Sequence, residues 1–198
     1  MSIHDQIENF PKQFKWLPEI MNAAALRQAQ KFVVVGMGGS NLAAGLIKSL
    51  RPELDITIWR DYGLPNISDE EKQKTLFILS SYSGDTEEVL TALEIVQKEK
   101  LNAAVISAGG KLLEAARAEG LPHIEIPEKN IQPRMALGYS FLAHLKLFGF
   151  DDLIYDAQPL SADLNMLACQ REGKRIAEAA YGRIPLVYSS AQNRGLAY

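Results

Sequence analysis

The sequence predicts an α/β protein, a three-layer sandwich around five parallel strands, and three observations carry that prediction. Short apolar runs rich in β-branched residues recur along the chain, the first being "FVVVG" at Phe32 to Gly36. Segments of helical length and periodicity separate them. The 198 residues, 47% hydrophobic and 23% charged, suffice for one well-filled core and the beginning of another, since domains run to about 100–200 residues. Strands alternating with helices imply right-handed crossovers and a parallel sheet covered on both faces.

From Asp5 to about Gln30, apolar residues at loose helical spacing (Ile7, Phe10, Phe14, Leu17, Ile20, Met21) are interrupted by Pro11 and Pro18, which predicts two or three short helices. "FVVVG" is then a strand buried on both faces. A helix from about Ser40 to Leu50 follows, then a strand "DITIWR", a loop with Pro65, a strand "TLFILS" and a helix from about Asp85 to Lys98. Next come a strand "AAVIS", a helix from about Lys111 to Glu119, a strand "HIEIP" and an apolar helix from about Arg134 to Phe148. Five parallel strands of flavodoxin-like order accommodate this succession. Beyond the turn "FDDLIYDAQP", a helix is expected from about Ser161 to Tyr181 and a further strand at "IPLVYSS", as though the chain stopped just inside another βα unit.

A net charge of −3 makes no electrostatic case for nucleic acid or an anionic membrane surface. No uncharged apolar run approaches the roughly 20 residues that span a bilayer. The start "MSIHDQIENFPKQF" lacks the basic stub and apolar stretch of a signal peptide. The single Cys169 forms no intramolecular disulfide, and no Cys/His spacing suggests a metal site. A reducing, cytoplasmic setting is expected.

In open parallel sheets, ligands bind beyond the carboxyl ends of the strands, so the loops after the strands carry the functional signal. "GMGGSN" (Gly36 to Asn41) puts three glycines at a strand-to-helix turn, where backbone N–H groups approach an anion closely. It reads equally as a tight turn with Ser40 as helix cap. As a dinucleotide fingerprint it is partial, with Asn41 where glycine or alanine is wanted and Asp61 after the second strand. As a nucleoside triphosphate loop it lacks lysine. The second loop, "SYSGDTEE" (Ser81 to Glu88), brings Ser81, Ser83 and Thr86 close enough for their hydroxyls to converge on one anion at a helix N-terminus. Its alternative is a capping box of Asp85 with Glu88.

Arg134 follows Pro133 and opens an almost wholly apolar helix. Either the guanidinium points into a polar site, or it is a surface cation on a fraying end. Of the three histidines, His4, His123 and His144, the last two lie at a strand start and in mid-helix and read as structural.

Taken together, "GMGGS", "SYSGDTEE" and "QPRMALGY" resemble the sugar isomerase (SIS) domain and, within it, the bifunctional phosphoglucose/phosphomannose isomerase family; "PLVYSS" resembles the opening of that family's second SIS domain. The resemblance spans Phe32 to Tyr198. After the N-terminal helices expected over 1–30, it implies a first SIS domain over 31–150, a linker and inter-domain helix over 151–182, and the truncated start of a second SIS domain over 183–198. It further implies that Gly39, Ser40, Ser81, Ser83 and Thr86 hold the phosphate of a phosphorylated hexose, glucose 6-phosphate, fructose 6-phosphate or mannose 6-phosphate. Arg134 matches the arginine that stabilises the enediolate. The family needs no cofactor or metal, acts without nucleic acid or membrane partners, and forms a homodimer. Its general base is a glutamate in a segment resembling "NENAK", which this sequence does not contain, so the chain by itself is expected to be inactive. Two other readings stay open, a non-catalytic SIS module that senses a phosphosugar and a nucleotide-binding Rossmann domain.

Overall fold

The computed structural model describes residues 2–127, 130–190 and 193–197. Among these residues five strands form: β1 (Lys31–Val35), β2 (Asp55–Trp59), β3 (Thr75–Ser80), β4 (Ala103–Ser107) and β5 (His123–Glu125). All pair in parallel, in the order β2-β1-β3-β4-β5, which is the flavodoxin-like order expected. The helices are α1 (Ile3–Asn9), α2 (Leu42–Leu50), α3 (Asp69–Lys74), α4 (Glu87–Lys98), α5 (Gly110–Ala118), α6 (Leu137–Phe148), α7 (Asp151–Ala157), α8 (Leu160–Asp163), α9 (Met166–Ala180) and α10 (Arg194–Ala197).

Side chains alternate between the faces of a strand, and both faces are covered here. Phe32, Val34, Leu76 and Ile78 pack under α2, α6 and α7 together with Phe14 from the N-terminal segment. Val33, Val35, Phe77 and Leu79 pack under α4 and α5. Burying each such side chain stabilises the fold by about 1.5–3 kcal/mol, which is why the runs around Val34 and Ile78 carry no polar residue. Met21 bridges to His123, exchanging N–H···O bonds of 2.8 and 3.1 Å, and so occupies the open edge of β5.

Several elements begin elsewhere than the sequence suggests. Gly38–Asn41 and Pro133–Ala136 are 3-10 turns, so α2 and α6 start at Leu42 and Leu137. The tighter turn matters at Arg134, which stands in the turn and not in the helix. α3, absent from the sequence reading, is started by a capping box of Ser68 with Glu71. The helix expected over 161–181 is divided into α8 and α9, with Asn165 accepting from the Ala168 N–H at 3.0 Å to start α9.

"IPLVYSS" forms no strand. Ile184, Leu186, Val187 and Tyr188 are 71–88% exposed: a parallel strand exists only where a neighbour takes its N–H and C=O groups, and among the described residues no strand pairs with this run. α10 instead returns to α2, where Gly45 and Gly195 meet backbone to backbone.

Candidate anion-binding site

β1 and β3 are neighbours, yet α2 leaves β1 for one face of the sheet and α4 leaves β3 for the other. Their two loops therefore diverge around a crevice at the switch point, where open α/β sheets bind ligands.

The first loop is closed by Asn41, 1% exposed, whose Nδ2 donates to the Gly36 carbonyl at 2.7 Å. Ser40 ties it to the second loop: its carbonyl accepts from the Ser80 hydroxyl at 2.9 Å and its Oγ from the Tyr82 N–H at 3.1 Å. Gly39 is buried against the turn that carries Arg134. A Cβ there would lie 3.1 Å from both the Arg134 nitrogen and the Pro133 carbonyl carbon, so glycine permits this close approach.

In the second loop the hydroxyls converge as expected. Ser81 Oγ lies 2.7 Å from Thr86 Oγ1 and 3.5 Å from Ser83 Oγ, and it accepts from the Gly84 N–H at 3.1 Å. Thr86 is the N-cap of α4, but its hydroxyl is committed to Ser81, and no side chain caps the helix. The helix start thus keeps its N–H groups and its positive end beside the hydroxyl cluster.

The acids do not cap α4. Asp85 and Glu88 form no capping box on α4. The Asp85 carboxylate accepts from the Lys111 N–H at 3.2 Å, serving the start of the neighbouring helix α5. The Glu87 carboxylate accepts from the Tyr62 hydroxyl at 3.3 Å, and Glu87 followed by Glu88 hold that phenol above its ordinary value by charge repulsion. Both carboxylates are engaged by groups outside the hydroxyl cluster, so a cradle of hydroxyls and a run of acids coexist in eight residues.

Arg134 is exposed, and its side chain has no hydrogen-bond or ion-pair partner among the described residues. Its backbone is packed on the first loop through Gly39, while the segment before it reaches the second loop through Tyr82, whose hydroxyl accepts from the Ile131 N–H at 3.3 Å. All the residues expected at the site, Gly39, Ser40, Ser81, Ser83, Thr86 and Arg134, therefore belong to three mutually packed turns.

Sequence reasoning missed the parts that hold these turns together. Asn41 stands in the sequence only as a departure from glycine, and nothing there singles out Tyr82. The "SAGG" turn after β4 (Ser107 to Gly110) also lies against the second loop, with the Leu112 N–H bonded to the Gly84 carbonyl at 3.0 Å; its Gly-Gly pair just after a strand was the available signal. His123 Nδ1 pairs with the Leu121 carbonyl at 2.9 Å, and His144 is wholly buried in α6, so both are structural. A separate cavity of about 660 Å³ opens at the opposite, amino-terminal end of the strands, lined in part by Arg27, Phe32, Lys74, Leu76, Lys146 and Phe148. Among the described residues no helix is long and apolar enough to cross a membrane.

No protein-family model matches the chain. Tagatose-6-phosphate ketose/aldose isomerase from Escherichia coli superposes with a TM-score of 0.58 over 98% of this chain and 60% of that one, at 14% identity. The fold is that of the sugar isomerase class. The chain is 32% identical to the bifunctional phosphoglucose/phosphomannose isomerase of Caldicellulosiruptor bescii, the match covering 93% of this chain and 59% of that protein. It is 33% identical to the enzyme of the same name from Aquifex aeolicus, over 95% of this chain and 58% of the relative. By sequence the chain is thus a homologue of the bifunctional phosphoglucose/phosphomannose isomerases, spanning a little under three fifths of their length.

Proposed function

We propose that this chain provides the phosphosugar-binding part of an aldose-ketose isomerase acting on glucose 6-phosphate, fructose 6-phosphate and mannose 6-phosphate. The observation that carries the reading is the convergence of the Ser81, Ser83 and Thr86 hydroxyls beside the uncapped start of α4, joined to Ser40 through the Tyr82 N–H. Hydroxyls and helix N–H groups satisfy the oxygens of a phosphate monoester without requiring a lysine. Arg134, with no acid engaging its guanidinium among the described residues, is a permanent cation within reach of the same crevice.

Moving a proton between C1 and C2 builds negative charge on the enediolate oxygens, which a fixed guanidinium stabilises. In this reading Gly39, Ser40, Ser81, Ser83 and Thr86 anchor the phosphate and Arg134 faces the reacting carbons. A general base is also required. Asp85 and Glu87, the acids beside the cradle with assigned partners, are engaged by Lys111 and Tyr62, so we assign the base to no residue of this chain and expect binding without turnover. The proposed division into 1–30, 31–150, 151–182 and 183–198, the cytoplasmic setting and the homodimer belong to the same reading, which rests on the family likeness.

The test is calorimetric titration with fructose 6-phosphate, coupled to an assay for glucose 6-phosphate. Wild type should bind, and Ser81→Ala should weaken binding by about tenfold or more through loss of an acceptor and donor in the cradle. Equal binding by Ser81→Ala and wild type would sink the assignment, and turnover above buffer would sink the claim that the base lies outside this chain. A sensing SIS module is the second reading, favoured by the engagement of Asp85 and Glu87 with the Lys111 N–H and the Tyr62 hydroxyl. Turnover by a longer natural form of the protein would separate the two. Stabilisation by NAD greater than by phosphosugars would instead support the Rossmann reading.

A further inference from the structure

We infer that Gln13, assisted by Gln6, is the positioning residue for Arg134, so that the N-terminal segment belongs to the site; the ligand part of this inference rests on the role proposed above for Arg134. The turn Pro133–Ala136 and the start of α6 lack caps of their own: neither Gln132 nor Ala136, the two N-cap residues, makes a side-chain cap bond. Their backbone groups are satisfied from far along the chain. The Gln13 carboxamide uses both ends, Nε2 donating to the Met135 carbonyl at 2.5 Å and Oε1 accepting from the Tyr139 N–H at 3.1 Å, across separations of 122 and 126 residues. Gln6 Oε1 accepts from the Gln132 N–H at 2.8 Å.

These bonds bracket Arg134, one set before it and one after. The two glutamines are 6% and 4% exposed, and a buried carboxamide makes directional bonds that are costly to leave unmade. Gly138 admits Gln13 because a Cβ there would stand 2.8 Å from Gln13 Oε1. On the other side, Gly39 lies against the same turn. The Arg134 backbone is thereby held between the first loop and the N-terminal segment, which fixes the point from which the exposed guanidinium extends.

Gln13→Met keeps the length of the side chain and removes both bonds; Gln13→Glu keeps an acceptor for Tyr139 but repels the Met135 carbonyl. Two probes separate the halves of the site: inorganic phosphate, which needs the hydroxyl cradle alone, and 6-phosphogluconate, whose carboxylate adds a negative charge at the reacting end. Gln13→Met should weaken 6-phosphogluconate by about 5- to 20-fold, as Arg134→Met does, leave inorganic phosphate within about twofold, and add nothing further in the Gln13→Met/Arg134→Met double variant. Gln13→Glu should fall between wild type and Gln13→Met.

Amide hydrogen exchange at Tyr139 in Gln13→Met, and at Gln132 in Gln6→Met, should accelerate by about tenfold or more. Unchanged exchange at Tyr139 would overturn the clamp. Equal weakening of both probes, or full additivity with Arg134→Met, would overturn the positioning role. If wild type gains nothing from the carboxylate, the reading of Arg134 itself fails, and exchange still decides the clamp. Should Gln13→Met fail to fold, Gln6→Met, which removes the bond to the Gln132 N–H, carries the same comparisons.

Discussion

Gly84 turns with φ +79°, and its backbone lies so close to the turn after β4 that a Cβ would overlap the Gly109 carbonyl oxygen. An alanine there meets both a left-handed backbone and an immovable peptide group, so Gly84→Ala should cost about 3 kcal/mol, read as a lowered urea midpoint. Because the Gly84 N–H also donates to Ser81 Oγ, phosphate binding should weaken with it. Asn41 offers a second case. Asn41→Ala leaves the Gly36 carbonyl unpaired in a buried position, and about 1–3 kcal/mol of stability should go with it in the same unfolding measurement. The hydroxyls of the second loop were legible in the sequence because Ser81, Ser83 and Thr86 lie within six residues, so their meeting is a local matter. Asn41 and Gln13 were not, since the meaning of a buried amide lies in which distant carbonyl it meets, and a lone Asn or Gln in sequence reads as surface.

Among whole elements, the strands were legible because both-face burial writes itself as unbroken apolar runs, as at Val33–Val35 and Phe77–Leu79, whereas helix starts depend on cap geometry. The sequence pointed to Asp85 as the first residue of α4, but its carboxylate serves α5, and Thr86 takes the cap position. α6 carries the clearest pH signature. His144 Nδ1 donates to the Ser140 carbonyl at 2.7 Å while Nε2 has no partner, which fixes a neutral ring, and burial pushes the imidazole down from 6.5 to about 4. Above pH 6.5 both folded and unfolded forms are neutral there and stability is full. As pH falls below 6.5 the unfolded chain takes up a proton that the folded one refuses, and stability declines until about pH 4, by about 3 kcal/mol in all. His144→Leu should flatten the curve of unfolding free energy against pH between 6.5 and 4 by close to one proton. Identical slopes in the two proteins would show that another group drives the decline.

Across the molecule as a whole, burial is unevenly distributed, and the unevenness follows chain position. Both core clusters are complete within 14–157, while α9 contributes no buried residue and 181–189 is exposed throughout. The sequence could not reveal this, because the amphipathic pattern of α9 and the apolar run after it look the same whether or not a partner surface is present. A segment without buried side chains adds little to the global unfolding free energy and opens to proteases ahead of the core. Limited digestion with trypsin or chymotrypsin should therefore cut first between Tyr181 and Tyr188, at Arg183 or the flanking tyrosines, before any cut within 31–127. The melting temperature of the nicked protein should stay within about 2 °C of the intact chain, because the sheet, the hydroxyl loops and the Arg134 turn all lie on the amino-terminal side of the cut. Fructose 6-phosphate should slow cleavage inside 36–41 and 81–86 while leaving the 181–188 cut unaffected, since only the former segments would contact it. Early cleavage in β3 or α6, or a large drop in melting temperature on nicking, would show that the tail is coupled to the core more strongly than the docking of α10 on α2 conveys.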